Sequence, residues 1–163
     1  MFQKKKFIKI KNLQPLVLYA PVKGRLKPLE DVEDMVFSSK MMGDGVAIDP
    51  IDETLYSPVS GKVTVVFPTG HVIGIESKEH IHIILHIGID TVELKGKGFY
   101  PQVQIGDMVE AGEVIMKLDL RRIQKKYCAT TMIVIENSNE FRLRKKETGD
   151  IEAGELMIKV ERI

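Results

Sequence analysis

The sequence predicts an all-β protein: two packed antiparallel sheets, a sandwich or flattened barrel, with one or two short helices. Three observations lead there. From Leu16 onward the chain is a series of short apolar runs broken by Pro and Gly, with hardly any window long enough for a substantial amphipathic helix. Turn chemistry followed by an apolar strand recurs. Ala20-Pro-Val-Lys-Gly-Arg-Leu echoes Ser57-Pro-Val-Ser-Gly-Lys-Val, and Gly106-Asp-Met-Val-Glu-Ala-Gly-Glu-Val echoes Gly149-Asp-Ile-Glu-Ala-Gly-Glu-Leu. The stretch 68–99, which holds all four histidines, reads as a β-hairpin.

Taken in order, residues 1–14 form a basic N-terminal tail and 15–163 a single domain. The tail lacks the run of about 7–15 apolar residues that a secretory signal needs, and no stretch of the chain approaches the ~20 apolar residues of a membrane span. Its lysines suit either a mobile terminus or a weak contact with an anionic membrane surface. Residues 28–37 are expected to make a helical turn or two, with Glu30 or Asp31 at the end where negative charge is favoured. Residues 119–127 predict a better helix, capped by Asp119, basic in its last turn and charged on a solvated face.

In the hairpin, His71-Val-Ile-Gly-Ile-Glu-Ser and Ile81-His-Ile-Ile-Leu-His-Ile are rich in β-branched residues and separated by Lys78-Glu79. A two-residue turn pairs Ser77 with His80, Ile75 with His82, Ile73 with Ile84 and His71 with His86. The last two imidazoles then face each other, with Cβ atoms roughly 4.5–5.5 Å apart. Lys-Glu is not the Asn-Gly or Asp-Gly pair of primed turns, which leaves open a longer turn and a shifted register. His80 and His82 lie near the turn and read as surface residues. His71 and His86 stand out because Thr69-Gly70 precedes one and Gly88 follows the other. A threonine hydroxyl can fix an imidazole tautomer, and glycine admits a close approach.

The composition, 163 residues, 44% hydrophobic and 29% charged, suits one globular domain. A net charge of +1 gives no sign of the concentrated basic face that nucleic acid requires, while acidic or phosphate-bearing partners stay open. Cys128 is the only cysteine, which excludes an internal disulfide and fits a reducing cytosol. With no Cys or Ser nucleophile beside them, two facing imidazoles suit phosphoryl transfer. Neutral imidazole is a nucleophile with a pKa of about 6.5, and the protein need only position the phosphoryl group and balance its charge.

His86-Ile-Gly-Ile-Asp-Thr-Val-Glu-Leu-Lys-Gly-Lys-Gly-Phe resembles the active-site signature of the glucose-type EIIA proteins of the bacterial phosphoenolpyruvate:sugar phosphotransferase system. Asp34-Met-Val-Phe, Gly43-Asp-Gly-Val-Ala-Ile-Asp-Pro, Tyr56-Ser-Pro-Val-Ser-Gly-Lys-Val, Phe67-Pro-Thr-Gly-His71 and Gly106-Asp-Met-Val extend the likeness over nearly the whole chain after the first dozen residues. It implies an EIIA type 1 domain with a fold like the duplicated hybrid motif of biotinyl and lipoyl carriers, although no lysine here sits at a hairpin tip for such modification. It also implies a monomeric cytoplasmic phosphocarrier, membrane-proximal where an N-terminal segment associates with lipid, as in some members. His86 would accept a phosphoryl group from phospho-HPr and pass it to an EIIB domain, with His71 as its partner and Thr69 holding the tautomer of His71. Val36, Phe37, Met41, Met42 and Phe67 would form an apolar docking rim, and Asp90 and Glu93 would pair with basic residues of a carrier. Gly74, Ile84 and Ile87 depart from phenylalanines of the enteric members. No cofactor is required, but zinc would bind His71 and His86 in a complex whose partner adds a carboxylate.

Two other classes compete. His80, His82 and His86 have the spacing of metal ligands, and zinc hydrolases of the lysostaphin kind share the broad β architecture, though their His-x3-Asp pair is missing. A non-enzymatic regulatory binding protein is compatible with the phosphocarrier, because phosphorylation would change the charge of the docking face.

Overall fold

The computed structural model describes residues 6–163. Its strands are β1 (Val17–Tyr19), β2 (Gly24–Pro28), β3 (Asp44–Pro50), β4 (Thr54–Tyr56), β5 (Gly61–Val66), β6 (Val72–Ser77), β7 (His82–Ile89), β8 (Phe99–Pro101), β9 (Met108–Val109), β10 (Val114–Leu118), β11 (Cys128–Ile135), β12 (Phe141–Lys145), β13 (Gly149–Ile151) and β14 (Leu156–Arg162). Two short helices interrupt them, α1 (Met35–Ser38) and α2 (Leu120–Gln124), both where the sequence predicts helical turns. Each is started by an aspartate. The Asp34 carboxylate accepts from the Val36 N–H at 3.0 Å, and the Asp119 carboxylate from the Arg122 N–H at 3.2 Å.

One antiparallel sheet has eight strands in the order β13-β2-β3-β11-β7-β6-β5-β9, and two sheets have three each, β1-β14-β12 and β4-β10-β8. The period-2 alternation of β7 decides what lies between them. Ile83, Leu85 and Ile87 point inward with Ile73, Ile75, Ile133 and Ile135, and meet Leu18 and Ile158 from one small sheet and Leu55 and Ile115 from the other in a single core. Ile84 and His86 therefore belong to the outer face. Part of that face is also covered, because Leu29, Val32 and Phe37, from the segment that includes α1, pack on Ala47, Met132 and Val134. This double covering explains why β7 reads as an almost unbroken apolar run.

The large sheet stays open, so the structure is a sandwich and the flattened barrel is corrected. Its edges are the two residues of β9 and the three of β13, too short to offer much ladder for closure or for another chain.

The register of the histidine hairpin also differs from the two-residue turn by one position. Glu76 pairs with His82, Ile75 with Ile83, Ile73 with Leu85 and Val72 with His86. The cause lies at the tip. Ser77 donates its N–H to the Ile81 carbonyl at 2.9 Å, leaving a three-residue turn that ends in His80 at φ 65°, the left-handed conformation that closes such turns. Asn137 fixes this tip from the neighbouring strand connection. Its amide oxygen accepts from the His82 N–H and its amide nitrogen donates to the His80 carbonyl, both at 2.9 Å.

Residues 1–5 of the expected basic tail lie outside the described residues. The part that follows is docked: Val114 donates its N–H to the Lys6 carbonyl and Ile8 donates to the Gly112 carbonyl, each at 2.9 Å, and Ile10 packs with Val17, Tyr19 and Ala111. Among the described residues no helix is long and apolar enough to cross a membrane.

The assignment of faces along β7 is testable by urea denaturation. Leu85→Ala should lower the unfolding free energy by about 2–5 kcal/mol, the usual cost of truncating a fully buried leucine, whereas His82→Ala on the exposed outer face should change it by no more than about 0.5 kcal/mol.

Candidate functional site

His86 stands on the outer face of β7 between Val72 of β6 and Met132 of β11. Its Nδ1–H donates to the Gly88 carbonyl at 3.0 Å, which leaves Nε2 as the bare nitrogen facing outward from that anchor. A strand carbonyl two residues on would not ordinarily be available to its own neighbour. It is here because Gly88 takes φ 84°, next to an irregularity in the β7–β11 pairing between Cys128 and Thr131. No other residue fits, since a Cβ at Gly88 would lie 2.2 Å from the Thr91 methyl and 2.9 Å from the Cys128 carbonyl. Buried Thr91 secures the same bend by donating its hydroxyl to the Ile87 carbonyl at 2.5 Å.

His71 precedes β6 and follows a tight turn in which the Gly70 N–H donates to the Phe67 carbonyl at 2.7 Å. Gly70 has φ 74°, and a Cβ there would stand 2.8 Å from the Phe99 Cβ. This turn resolves an apparent contradiction. In the observed register His71 lies across from Ile87, to whose N–H its carbonyl is bonded at 2.8 Å, so strict alternation would aim it away from His86. The chain bends before β6 begins, and the two imidazoles meet edge to face with centroids 5.1 Å apart. The Thr69 hydroxyl lies 2.7 Å from His71 Nδ1. Both rings are thus engaged at Nδ1, leaving both Nε2 atoms without a bond of that kind.

Aromatic rings enclose the pair: Phe37 lies 4.8 Å from His86, and Phe67 and Phe99 lie 5.6 and 6.3 Å from His71. Burial, with the nearby His86 as a second cause, pulls the His71 pKa down to about 4. His86 is lowered too, by burial, against the opposing pull of its bond to Gly88 and of the Asp34 carboxylate. Both imidazoles are therefore neutral near pH 7. Sequence reasoning did not single out Asp34 or Phe99. Asp34 opens one of the quoted motifs and Phe99 closes another, but only the fold brings a cap carboxylate and a core ring to the histidines.

Val36, Met41, Met42 and Phe67 are exposed, as are Met35 and Val92, and Asp90 and Glu93 are exposed on the turn that follows β7. Phe37 is different. It is 4% exposed, because the single turn of α1 directs it onto Ala47 and Met132, and it offers its ring to His86 rather than to a partner. His80 and His82 sit at the hairpin tip with Glu76, at 3.2 and 3.7 Å, and do not join the other two histidines. The three-histidine zinc set is therefore not assembled, and among the described residues no group of three or more His, Cys, Asp and Glu side chains could hold a metal ion.

Comparison with known proteins places this geometry in context. The family described as phosphoenolpyruvate-dependent sugar phosphotransferase system, EIIA 1, matches residues 16–141. The chain is 40% identical over 158 residues to the glucose-specific EIIA component of Oceanobacillus iheyensis, covering 94% of this chain and 96% of that protein. It is also 40% identical over 154 residues to the glucose-specific EIICBA component of Staphylococcus saprophyticus, covering 94% of this chain and 23% of that longer protein. Among solved structures, glucose permease IIA from Mycoplasma capricolum superposes with a TM-score of 0.83 at 36% identity, over 88% of this chain and 94% of that one.

The electrostatics of the pair give a prediction independent of these likenesses. The folded protein resists protonation of His71 until about pH 4, whereas the unfolded chain takes that proton near 6.5, so between those values the unfolded state binds more protons. Stability should fall as the pH drops through this window. In His71→Gln the fall should be shallower, as measured by urea midpoints from pH 7 to 4; an unchanged pH profile would show that His71 is not held neutral by the fold.

Proposed function

The chain belongs to the phosphoenolpyruvate-dependent sugar phosphotransferase system EIIA 1 family, and from that premise we propose that His86 accepts a phosphoryl group from phospho-HPr and passes it to an EIIB domain of a sugar permease. One observation carries the proposal: two neutral imidazoles, each engaged at Nδ1, meet at 5.1 Å with their Nε2 atoms uncommitted.

In the forward step the His86 Nε2 lone pair attacks phosphorus. An N–P bond forms as the bond to the donor breaks, and the donor keeps that electron pair. The His86 ring becomes positive, and its Nδ1–H bond to the Gly88 carbonyl stabilises that charge. The Thr69 hydroxyl donates to His71 Nδ1, so that His71 carries its proton on Nε2 and donates it to a phosphoryl oxygen. His71 thus orients and neutralises, and His86 forms the covalent bond. Transfer to EIIB reverses the step, with an acceptor nucleophile displacing His86.

The exposed Val36, Met41, Met42 and Phe67 suit carrier docking, since methionines accept more than one partner shape, and Asp90 and Glu93 suit basic residues at its margin. Phe37 supports that rim from beneath. Relatives named EIICBA join an A component to B and C components in one chain, which supports EIIB as the acceptor. Several relatives are named glucose-specific, which makes a glucose permease the first acceptor to test. The carrier works in the cytoplasm, where such permeases present their B domains. Two imidazoles are half of a tetrahedral zinc set. In a complex whose partner supplies a carboxylate, His71 and His86 would hold the ion, and phosphorylation of His86 would exclude it.

The test incubates the protein with phosphoenolpyruvate, enzyme I and HPr and then adds EIIB. His86→Ala should take up no acid-labile phosphate, and normal labelling would overturn the assignment. His71→Gln should still be labelled but should donate to EIIB about 10²–10³-fold more slowly, the usual loss for one electrostatic donor. Equal slowing of both half-reactions would overturn that division of roles.

A further inference from the structure

Beside the site runs a row of cations that the chemistry above does not use. Lys95 and Lys97 flank Gly96, whose backbone lies against Thr69, with the position of an added Cβ 3.8 Å from the Thr69 carbonyl. The loop continues against α2: the Asp119 N–H donates to the Gly98 carbonyl at 2.9 Å, and an added Cβ at Gly98 would stand 3.3 Å from the Ile123 side chain. Arg121 and Arg122 lie on α2, and Lys125 and Lys126 follow at its end. Lys117 sits just before it on β10, directly opposite Tyr100 of β8.

All seven cations are exposed, and among the described residues none is ion-paired. Elsewhere Lys23, Arg25, Lys27, Lys40, Arg144, Lys145 and Lys146 each have a carboxylate within 4 Å. Two acids at the start of α2 are otherwise engaged. Asp119 caps the helix, and the Glu53 carboxylate accepts from the Leu120 N–H at 3.0 Å. In a chain with a net charge of only +1, this is a local concentration.

We propose that the edge formed by Lys95, Lys97, Lys117 and the basic residues of α2 docks on an anionic lipid surface. A protein partner normally needs an apolar centre to anchor binding, and Tyr100 is the one large apolar side chain exposed among the residues of this edge. The basic edge offers long flexible cations and a half-exposed tyrosine, the combination that suits a charged headgroup layer. The inference rests on the transfer reading only for its purpose: a permease lies in a membrane, and contact through this edge would hold the adjacent site close to it.

The experiment is co-sedimentation of the full chain with mixed phosphatidylglycerol and phosphatidylcholine vesicles, at low and high salt. Binding should occur with the mixed vesicles, vanish with pure phosphatidylcholine, and weaken as salt screens the charges. R121E/R122E/K125E/K126E should bind about tenfold less or weaker still, whereas K9E/K11E in the N-terminal segment should bind as the wild type does. The glutamine version of the quadruple variant repeats the test with less strain on the fold. Undiminished binding by either quadruple variant, equal binding to neutral vesicles, loss confined to K9E/K11E, or retention by polyglutamate but not by vesicles would each overturn the proposal. The quadruple variant should also be phosphorylated in solution at the wild-type rate. If the wild type itself is not labelled, the transfer reading fails while the vesicle result stands on its own.

Discussion

Both imidazoles of the site are held by the same end. His86 is anchored through Nδ1 to a backbone carbonyl, and His71 through Nδ1 to a hydroxyl, so each presents the opposite nitrogen. Much of the surrounding structure serves this arrangement. The Gly88 carbonyl is in place only because the strand bends at a positive φ that Thr91 secures from below. Thr69 and His71 are in place only because the turn at Gly70 is tight enough to set the chain against Phe99. A side chain at either glycine would collide with its neighbours before it disturbed any charge.

The sandwich supplies rigidity on one side of β7 and access on the other. Inward-pointing Ile83, Leu85 and Ile87 fix the strand in a core shared by three sheets. The outward face is covered by α1 and its approach only up to Phe37, and His86 stands where that cover ends. Partial burial follows, and with it the depressed pKa that keeps a nucleophile unprotonated without any general base. The same cover brings in Asp34, whose carboxylate both starts α1 and moderates that depression.

Fold class was legible in the sequence because Pro and Gly punctuate runs too short for helices, and period-2 alternation leaves few other solutions. Both helices were legible as helical turns, the second from its Asp119 cap, whereas the first was expected to start at Glu30 or Asp31 and is capped by Asp34 instead. The histidine pair was legible from its hydroxyl and glycine neighbours. What could not be read depended on conformation without a residue signature. His80 occupies a left-handed position that usually signals itself by Gly or Asn, so the three-residue turn and the shifted register were hidden. The pair nevertheless converged, because a bend before β6 offset the slip. Phe37 was placed on the rim by resemblance, and one helical turn is too short for its buried phase to be read from sequence. Closure of the sheet was unreadable because it depends on two short strands far apart in the chain.

The two histidines lie fifteen positions apart on one hairpin, whose tip is clamped by Asn137. The entropic cost of bringing them together is thus that of closing a short loop, a cost that grows only logarithmically with length. Elements that begin and end the sandwich, such as β1 and β14, contribute to stability but do not span the gap between the reacting rings. In folding terms the site has low contact order within a domain of high contact order, so its geometry can form with the hairpin itself and does not wait for the last strands to dock.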